Sequence, residues 1–360
     1  MKDPVEAPKL IVDANIEPAL ANFELPDDLG FGRTLVPVMY QCTYASGAWK
    51  SGHLTALANL SISPAAKVLQ YGHQVFEGLK AYKVGLNQAQ LFRPEMNAER
   101  LNRSAERIDM PGVSAAHFMQ AVEAVVLKSE AFIPEETGQS LYLRPYIMGT
   151  ESDMGLGRSS TYTFVVLASP SEIIQKGTMK VLIERERSRV AIGGTGDVKL
   201  GSNYTAGIAS ARRAAEQGFN QSIWLDPDSR KTIEELSGMN FFAVIDGELH
   251  TPELFGSILP GITRDSVVQL ARAMGYTVVE RCLDIDSLLA QIATGACREV
   301  FACGTAAVIT PISEFGEYDG TRYPLLEPEG RITALLKTAL VDIQEGRAAD
   351  KFGWMHSVGN

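Results

Sequence analysis

A chain of 360 residues, 45% hydrophobic and 21% charged, is ordinary globular material, and it exceeds the ~250–300 residues that one hydrophobic core serves, so two domains are expected. A formal net charge of -10 argues against nucleic acid and anionic membrane as partners, because both need clustered Lys and Arg. No apolar run reaches the ~18 residues of a membrane span, and the acidic start MKDPVEAPKLIVDANIEPAL is neither a signal nor a transit peptide; a cytoplasmic protein without a membrane partner is expected.

The acid-rich, proline-bearing residues up to about Gly32 read as a loosely held arm crossing the surface or a neighbouring subunit. From Thr34 to Phe92 the runs LVPVMYQCTY, KVLQYGHQVFEGLKAYKV and QAQLF read as strands of an antiparallel sheet. The stretch RPEMNAERLNRSAERIDMP has helical spacing, with Leu101, Ala105 and Ile108 on one side and Pro111 ending it. Arg100, Arg103 and Arg107 share a neighbouring arc; Arg103 and Arg107 read as a solvated face, and one arginine turned inward toward an anion is the functional case.

A second helix is expected over 115–131. In SLYLRPYIMG, alternation sets Tyr142, Arg144 and Tyr146 on one face and Leu141 and Leu143 on the other. An arginine between two tyrosines fits a carboxylate site and equally the solvent side of a strand. TYTFVVLASP reads as a buried strand, and SPSEIIQKG as an interdomain linker.

The segment from Gly193 to Gly218 holds a single lysine, Lys199, on a tight connection between a loop of small residues and an Ala-rich helix. A lysine there is either a surface charge or, if desolvated, a Schiff-base nucleophile. A P-loop is excluded because Leu200, not Ser or Thr, follows it, and Gly193-Gly194-Thr195-Gly196 does not fit a dinucleotide fingerprint.

Hairpin turns are expected around Asp226-Pro227-Asp228 and at Asp246-Gly247. Glu235, on a strand between them, is either an edge charge or the buried partner of a cation. Pro260-Gly261 feeds a helix whose first amides, at Ile262 and Thr263, suit a phosphate or simply start an ordinary connection. Gly304-Thr305-Ala306, at the end of the strand in EVFACGTA, offers a second backbone approach to an anion. The four cysteines, Cys42, Cys282, Cys297 and Cys303, form no C-x-x-C pair and read as reduced thiols. The five histidines have no ligand spacing, so no metal is expected.

In this order and spacing, YGHQVFEGLKAY, LFRPEMNAERLNRSAERI, LYLRPY, GDVKLGSNY, EELSGMNFF, LPGITR and EVFACGTA resemble the branched-chain amino-acid aminotransferases over residues 30–340. The resemblance implies an α+β chain of the two-domain fold type IV class that uses pyridoxal 5'-phosphate, with a smaller α/β domain, a larger β-rich domain and the cofactor at their interface. The boundaries drawn are 1–170, a linker at 171–178, and 179–360. The implied reaction moves the amino group of L-leucine, L-isoleucine or L-valine reversibly to 2-oxoglutarate.

By the same resemblance Lys199 falls on the lysine that attaches the cofactor, Tyr204 on the tyrosine bonded to its phenolic oxygen, and Glu235 on the acid at its ring nitrogen. Arg100, the amides of Ile262 and Thr263, and Thr305 match phosphate contacts, and Leu259 would lie against the ring. Phe76, Tyr142, Arg144 and Ala306 match the substrate pocket. Tyr71, Met154 and Leu156 match residues that relatives lend from a partner subunit, which implies a homodimer. Two departures stand out: Gly238 replaces a Thr found in some relatives, and Ala307 and Thr310 replace the C-x-x-C pair of mammalian ones. The rival readings are a D-amino-acid aminotransferase, an aminodeoxychorismate lyase, and a non-enzymatic ligand-binding protein on the same fold.

Overall fold

The computed structural model describes residues 6–85 and 88–359, which divide into two compact units. One unit holds the described residues up to Glu172, then Lys199–Gly201, and those from Ile343 on; the other holds Ile173–Val198 and Ser202–Asp342. The contiguous ranges drawn from the sequence differ from this division at two segments, each of which joins the first unit through backbone pairing. Leu200 bridges Val75, and Met355–Ser357 pairs antiparallel with Gln88–Phe92.

In the first unit the sheet runs Leu10–Val12, Ala48–Ala56, Val38–Ala45, Tyr162–Ser171, Ser140–Gly149, Leu79–Val84, Gln88–Phe92 and Met355–Ser357, with Gln74–Phe76 also on Ser140–Gly149. All pairs are antiparallel except the first. The period-two alternation expected for Ser140–Gly149 is present: Leu141, Leu143 and Ile147 are fully buried on one face, and Tyr142, Arg144 and Tyr146 share the other. Helix Ala115–Ser129 covers the Leu141 side, stacking Phe118 on Phe164 at 6.4 Å between ring centroids and bonding His117 to the Tyr40 hydroxyl at 2.8 Å. Helix Pro94–Arg107 carries the expected split, with Leu101 and Ala105 buried and Arg103 and Arg107 exposed.

Two expectations need correction here. The arm is anchored: Leu10–Val12 adds a parallel strand to Ala48–Ala56, and Ile16 behind it is fully buried. Acidic composition hid a β-branched edge strand. The run beginning at Lys67 is not strand from its start: Lys67–Tyr71 is a helix closed by Gly72 in the left-handed region (φ 62°), whose N–H bonds the Val68 carbonyl. A glycine C-cap overrides the β-leaning composition of KVLQY.

In the second unit the order is Ile233–Leu236, Gln221–Leu225, Met179–Glu184, Val308–Gly316, Cys297–Gly304, Asn240–Ile245, Glu248–Thr251 and Val278–Glu280. Its core gathers Ile183, Ile223, Leu236, Phe241, Ala302 and Phe315 among others. Both hairpin turns are present: Gln221–Leu225 returns as Ile233–Leu236, and Ile245 faces Glu248 across Asp246 (φ 51°) and Gly247 (φ 84°), a two-residue loop that needs positive φ at both positions. After Lys199 the Ala-rich stretch forms two helices, Gly201–Thr205 and Ile208–Glu216, interrupted at Gly207. No helix among the described residues is long and apolar enough to cross a membrane.

Candidate active site

In the first unit, four of the residues singled out from the sequence converge around one ring. The Lys199 amine lies 4.9 Å from the centroid of Phe76, and the Arg144 guanidinium lies 4.8 Å from the same centroid. Arg144 also donates to the Tyr142 hydroxyl at 3.0 Å. Its Nε is buried without a hydrogen-bond partner among the described residues. Gly78 makes room for this arrangement, since a Cβ there would come within 2.1 Å of the Tyr142 hydroxyl.

Arg100 is the arginine that turns inward. It is buried and grips Glu77 with two parallel bonds, Nε to Oε1 at 2.7 Å and Nη2 to Oε2 at 2.9 Å. Asn97 Nδ2 donates to Glu77 Oε2 at 2.7 Å. Burial pushes the Glu77 carboxyl up, but the charge and hydrogen bonds of Arg100, then the charge of Lys199 and the bond from Asn97, hold it below the usual carboxylate range. Glu77 was not foreseen. It lies between strands Gln74–Phe76 and Leu79–Val84, in a run that also carries Lys80 and Lys83, so its charge gave no distinct signal.

The Lys199 backbone is pinned as well. Its N–H donates to Ser104 Oγ at 2.9 Å, and its carbonyl accepts from the Phe76 N–H at 3.1 Å. Asn97, Arg100 and Ser104 lie three and four residues apart on helix Pro94–Arg107, so one stripe of that helix meets both Glu77 and Lys199. Tyr71, Met154 and Leu156 stand apart from this cluster, 47%, 66% and 90% exposed. The Tyr71 hydroxyl bonds the Met154 carbonyl, and Lys67 Nζ bonds Asp153 at 2.8 Å, so helix Lys67–Tyr71 holds the loop that carries them.

In the second unit Glu235 is 4% exposed on strand Ile233–Leu236 and is surrounded by donors. Arg189 Nη2 bonds Oε1, Asn240 Nδ2 bonds Oε2 at 3.0 Å, and the Leu259 N–H reaches Oε1 at 3.4 Å. Its neighbour Glu234 has a different fate: burial raises its carboxyl, partly offset by Ser257 and Arg189, and its Oε2 has no partner among the described residues. Of two adjacent acids, only Glu235 is built as a paired carboxylate. Arg189 was not singled out from the sequence, where it is one of several arginines in the charged run ERERSR.

Asn240 also bonds the Leu259 carbonyl at 3.0 Å and presses on Gly261, where a Cβ would meet its Oδ1 at 2.0 Å. Glycine is therefore required as the residue capping helix Ile262–Ala273. The amides of Ile262 and Thr263 open that helix and have no intrahelical acceptor, while Asp265 adds the usual first-turn acid. Gly304, Thr305 and Ala306 round the turn between strands Cys297–Gly304 and Val308–Gly316, with Gly304 close against the Gly238 carbonyl. A Cβ at Gly238 would sit 3.6 Å from the Tyr204 ring, so the position leaves ordinary contact space there. No group of three or more potential metal ligands occurs among the described residues.

A family model described as amino-transferase class IV matches residues 74–315. The branched-chain-amino-acid aminotransferase of Mycolicibacterium smegmatis is 39% identical over 355 residues, covering 96% of both chains. Among solved structures, the branched-chain amino acid aminotransferase from Escherichia coli aligns with a TM-score of 0.72 at 28% identity, over 90% of this chain and 100% of that one. The branched-chain aminotransferase from the thermophilic archaeon Thermoproteus uzoniensis, solved with norvaline, aligns with a TM-score of 0.73 at 28% identity, over 89% and 99%. The fold is thus the fold type IV architecture of these enzymes. With the lysine, the paired acid and the helix opening all inside the matched span, the chain belongs to the class IV aminotransferase family.

Proposed function

We propose that this protein is a branched-chain amino-acid aminotransferase that uses pyridoxal 5'-phosphate to move the amino group of L-leucine, L-isoleucine or L-valine reversibly to 2-oxoglutarate, giving the branched-chain 2-oxo acid and L-glutamate. The observation that carries this reading is the setting of Lys199, whose amine lies 4.9 Å from the Phe76 ring in a cluster with the guanidinium of Arg144.

The donor set fits the cofactor. A phosphorylated pyridine aldehyde requires an amine, a cradle for a dianion, and an acceptor for its ring N–H. Lys199 supplies the amine. Arg100, the amides of Ile262 and Thr263, and the Thr305 hydroxyl are donors suited to phosphate. Glu235, which accepts hydrogen bonds from Arg189 and Asn240, would be the acceptor for a protonated ring nitrogen. Tyr204 would bond the phenolic oxygen, and Leu259 would pack against the ring.

When bound, the cofactor supplies an electron sink for the electrons of the substrate Cα–H bond. Lys199 Nζ takes and returns the Cα proton, so one amine both anchors and transfers. The pocket must accept an aliphatic side chain and also the γ-carboxylate of glutamate. Phe76 offers apolar surface to the first, and Arg144, whose buried Nε has no partner among the described residues, together with Tyr142 offers charge and hydrogen bonds to the second.

The protein acts as a homodimer, a reading supported by the exposure of Tyr71, Met154 and Leu156 on one loop–helix pair. Its free cysteines, three of them buried, support residence in the reducing cytoplasm. The test is chemical. Borohydride reduction of the cofactor-loaded protein followed by peptide mapping should tag Lys199, and L-leucine should outpace D-alanine and aminodeoxychorismate as substrate. A tag on another lysine, or a preference for either alternative substrate, would reject the reading.

A further inference from the structure

Ser104 occupies a position that helix formation does not call for. It lies inside helix Pro94–Arg107 and is fully buried, and its hydroxyl donates to the Arg100 carbonyl one turn back at 2.8 Å. Such back-bonding slightly destabilises a helix, and alanine is the better helix former, so neither propensity nor capping accounts for a hydroxyl here. A serine hydroxyl carries one proton. With that proton committed to the Arg100 carbonyl, only a lone pair faces the Lys199 N–H at 2.9 Å, so chemistry alone sets the direction of both bonds.

The consequence is mechanical. The Lys199 peptide is clamped from both sides, by Ser104 Oγ on its N–H and by the Phe76 N–H on its carbonyl. The Phe76 half of the clamp is backbone and any residue except proline would provide it; the Ser104 half depends on the side chain. The same serine joins this peptide to the helical turn that presents Arg100. An amine on four flexible carbons reaches a reacting atom reliably only if the backbone that carries it is stationary.

We propose that Ser104 is a positioning residue for the Lys199 amine. The inference rests on the assignment of Lys199 as the lysine that attaches the cofactor. Displacement of a reacting group by ~1 Å costs on the order of 100-fold in rate, and loss of half of the clamp should cost about tenfold.

The experiment compares cofactor-free wild type, Ser104→Ala and Ser104→Cys. Each is mixed with pyridoxal phosphate and quenched with borohydride at intervals, and the label on Lys199 is measured by peptide mapping. Alanine removes the acceptor, while cysteine keeps nearly the same volume and offers only a weak one. Both variants should acquire the label about tenfold more slowly than wild type. Affinity for inorganic phosphate should stay unchanged, and in the loaded enzyme kcat for L-leucine should fall while KM holds. A serine needed only for packing would leave the cysteine variant at the wild-type labelling rate, and that result overturns the inference. Wild type labelled at a lysine other than Lys199 overturns instead the assignment beneath it.

Discussion

Arg189 donates a hydrogen bond to Glu235, and both side chains are buried, 9% and 4% exposed as residues. A carboxylate taken out of water reverts to its neutral acid unless a cation or several donors compensate. Arg189 provides the cation, and Asn240 a further donor at 3.0 Å. Glu235 thus already accepts hydrogen bonds from Arg189 and Asn240 before any ligand arrives, as the role proposed for it requires.

Replacing Arg189 by Leu should strand that charge. Removing one partner of a buried pair costs about 3–5 kcal/mol, so the cofactor-free variant should lose stability of that order in urea unfolding. A variant as stable as wild type would mean that the pair contributes nothing beyond what Asn240 supplies.

Arg144→Leu should separate the two substrates. Loss of a charge-assisted hydrogen bond costs about 1.5–3 kcal/mol, so kcat/KM for the glutamate half-reaction should fall roughly 10- to 100-fold. The leucine half-reaction, which brings no second carboxylate, should lose much less. Stopped-flow measurement of each half-reaction decides, and equal losses would make Arg144 a structural residue.

Glu77 should make stability depend on pH. Its carboxyl is held below the usual range in the folded protein and returns to about 4.3 when unfolded. A depressed folded value means that the stabilisation is fully present above the unfolded value and is lost as pH falls through the folded one. The stability gap between wild type and Glu77→Gln should accordingly be widest near neutrality and shrink below about pH 4. Urea unfolding at pH 7 and at pH 3 measures it; a gap that does not move with pH would show that the amide is resented for its shape rather than its charge.

Thiol chemistry should be confined to one residue. Burial pushes the Cys42 thiol up to about 11 and the Cys297 thiol up to about 12, and raises Cys303 as well, whereas Cys282 is exposed. Ala307 and Thr310 are buried where mammalian relatives carry a thiol pair, and the Thr310 hydroxyl is satisfied by the Ala307 carbonyl at 3.1 Å. A thiol-reactive disulfide reagent at pH 8 should modify Cys282 alone in the native protein and all 4 cysteines after denaturation. Peroxide should cause no activity loss that dithiothreitol reverses. Reversible inactivation in a Cys282→Ser protein would contradict this.

What local chemistry dictates was legible in the sequence. Asp246-Gly247 makes its two-residue hairpin because both positions take positive φ, Pro260-Gly261 opens helix Ile262–Ala273, and alternation in Ser140–Gly149 puts Arg144 on the face opposite Leu143. Each follows from residues within a few positions of one another. The tertiary structure decided the partners. Glu77 meets Arg100 across 23 residues, Arg189 meets Glu235 across 46, and Ser104 meets the Lys199 N–H across 95. Periodicity reports which face of an element is buried but not what lies opposite, because buried polar groups choose their partners only after distant segments have been brought together by apolar packing. The same reason hid the strand Leu10–Val12, whose pairing with Ala48–Ala56 supplies the hydrogen bonds that its acidic surroundings gave no sign of.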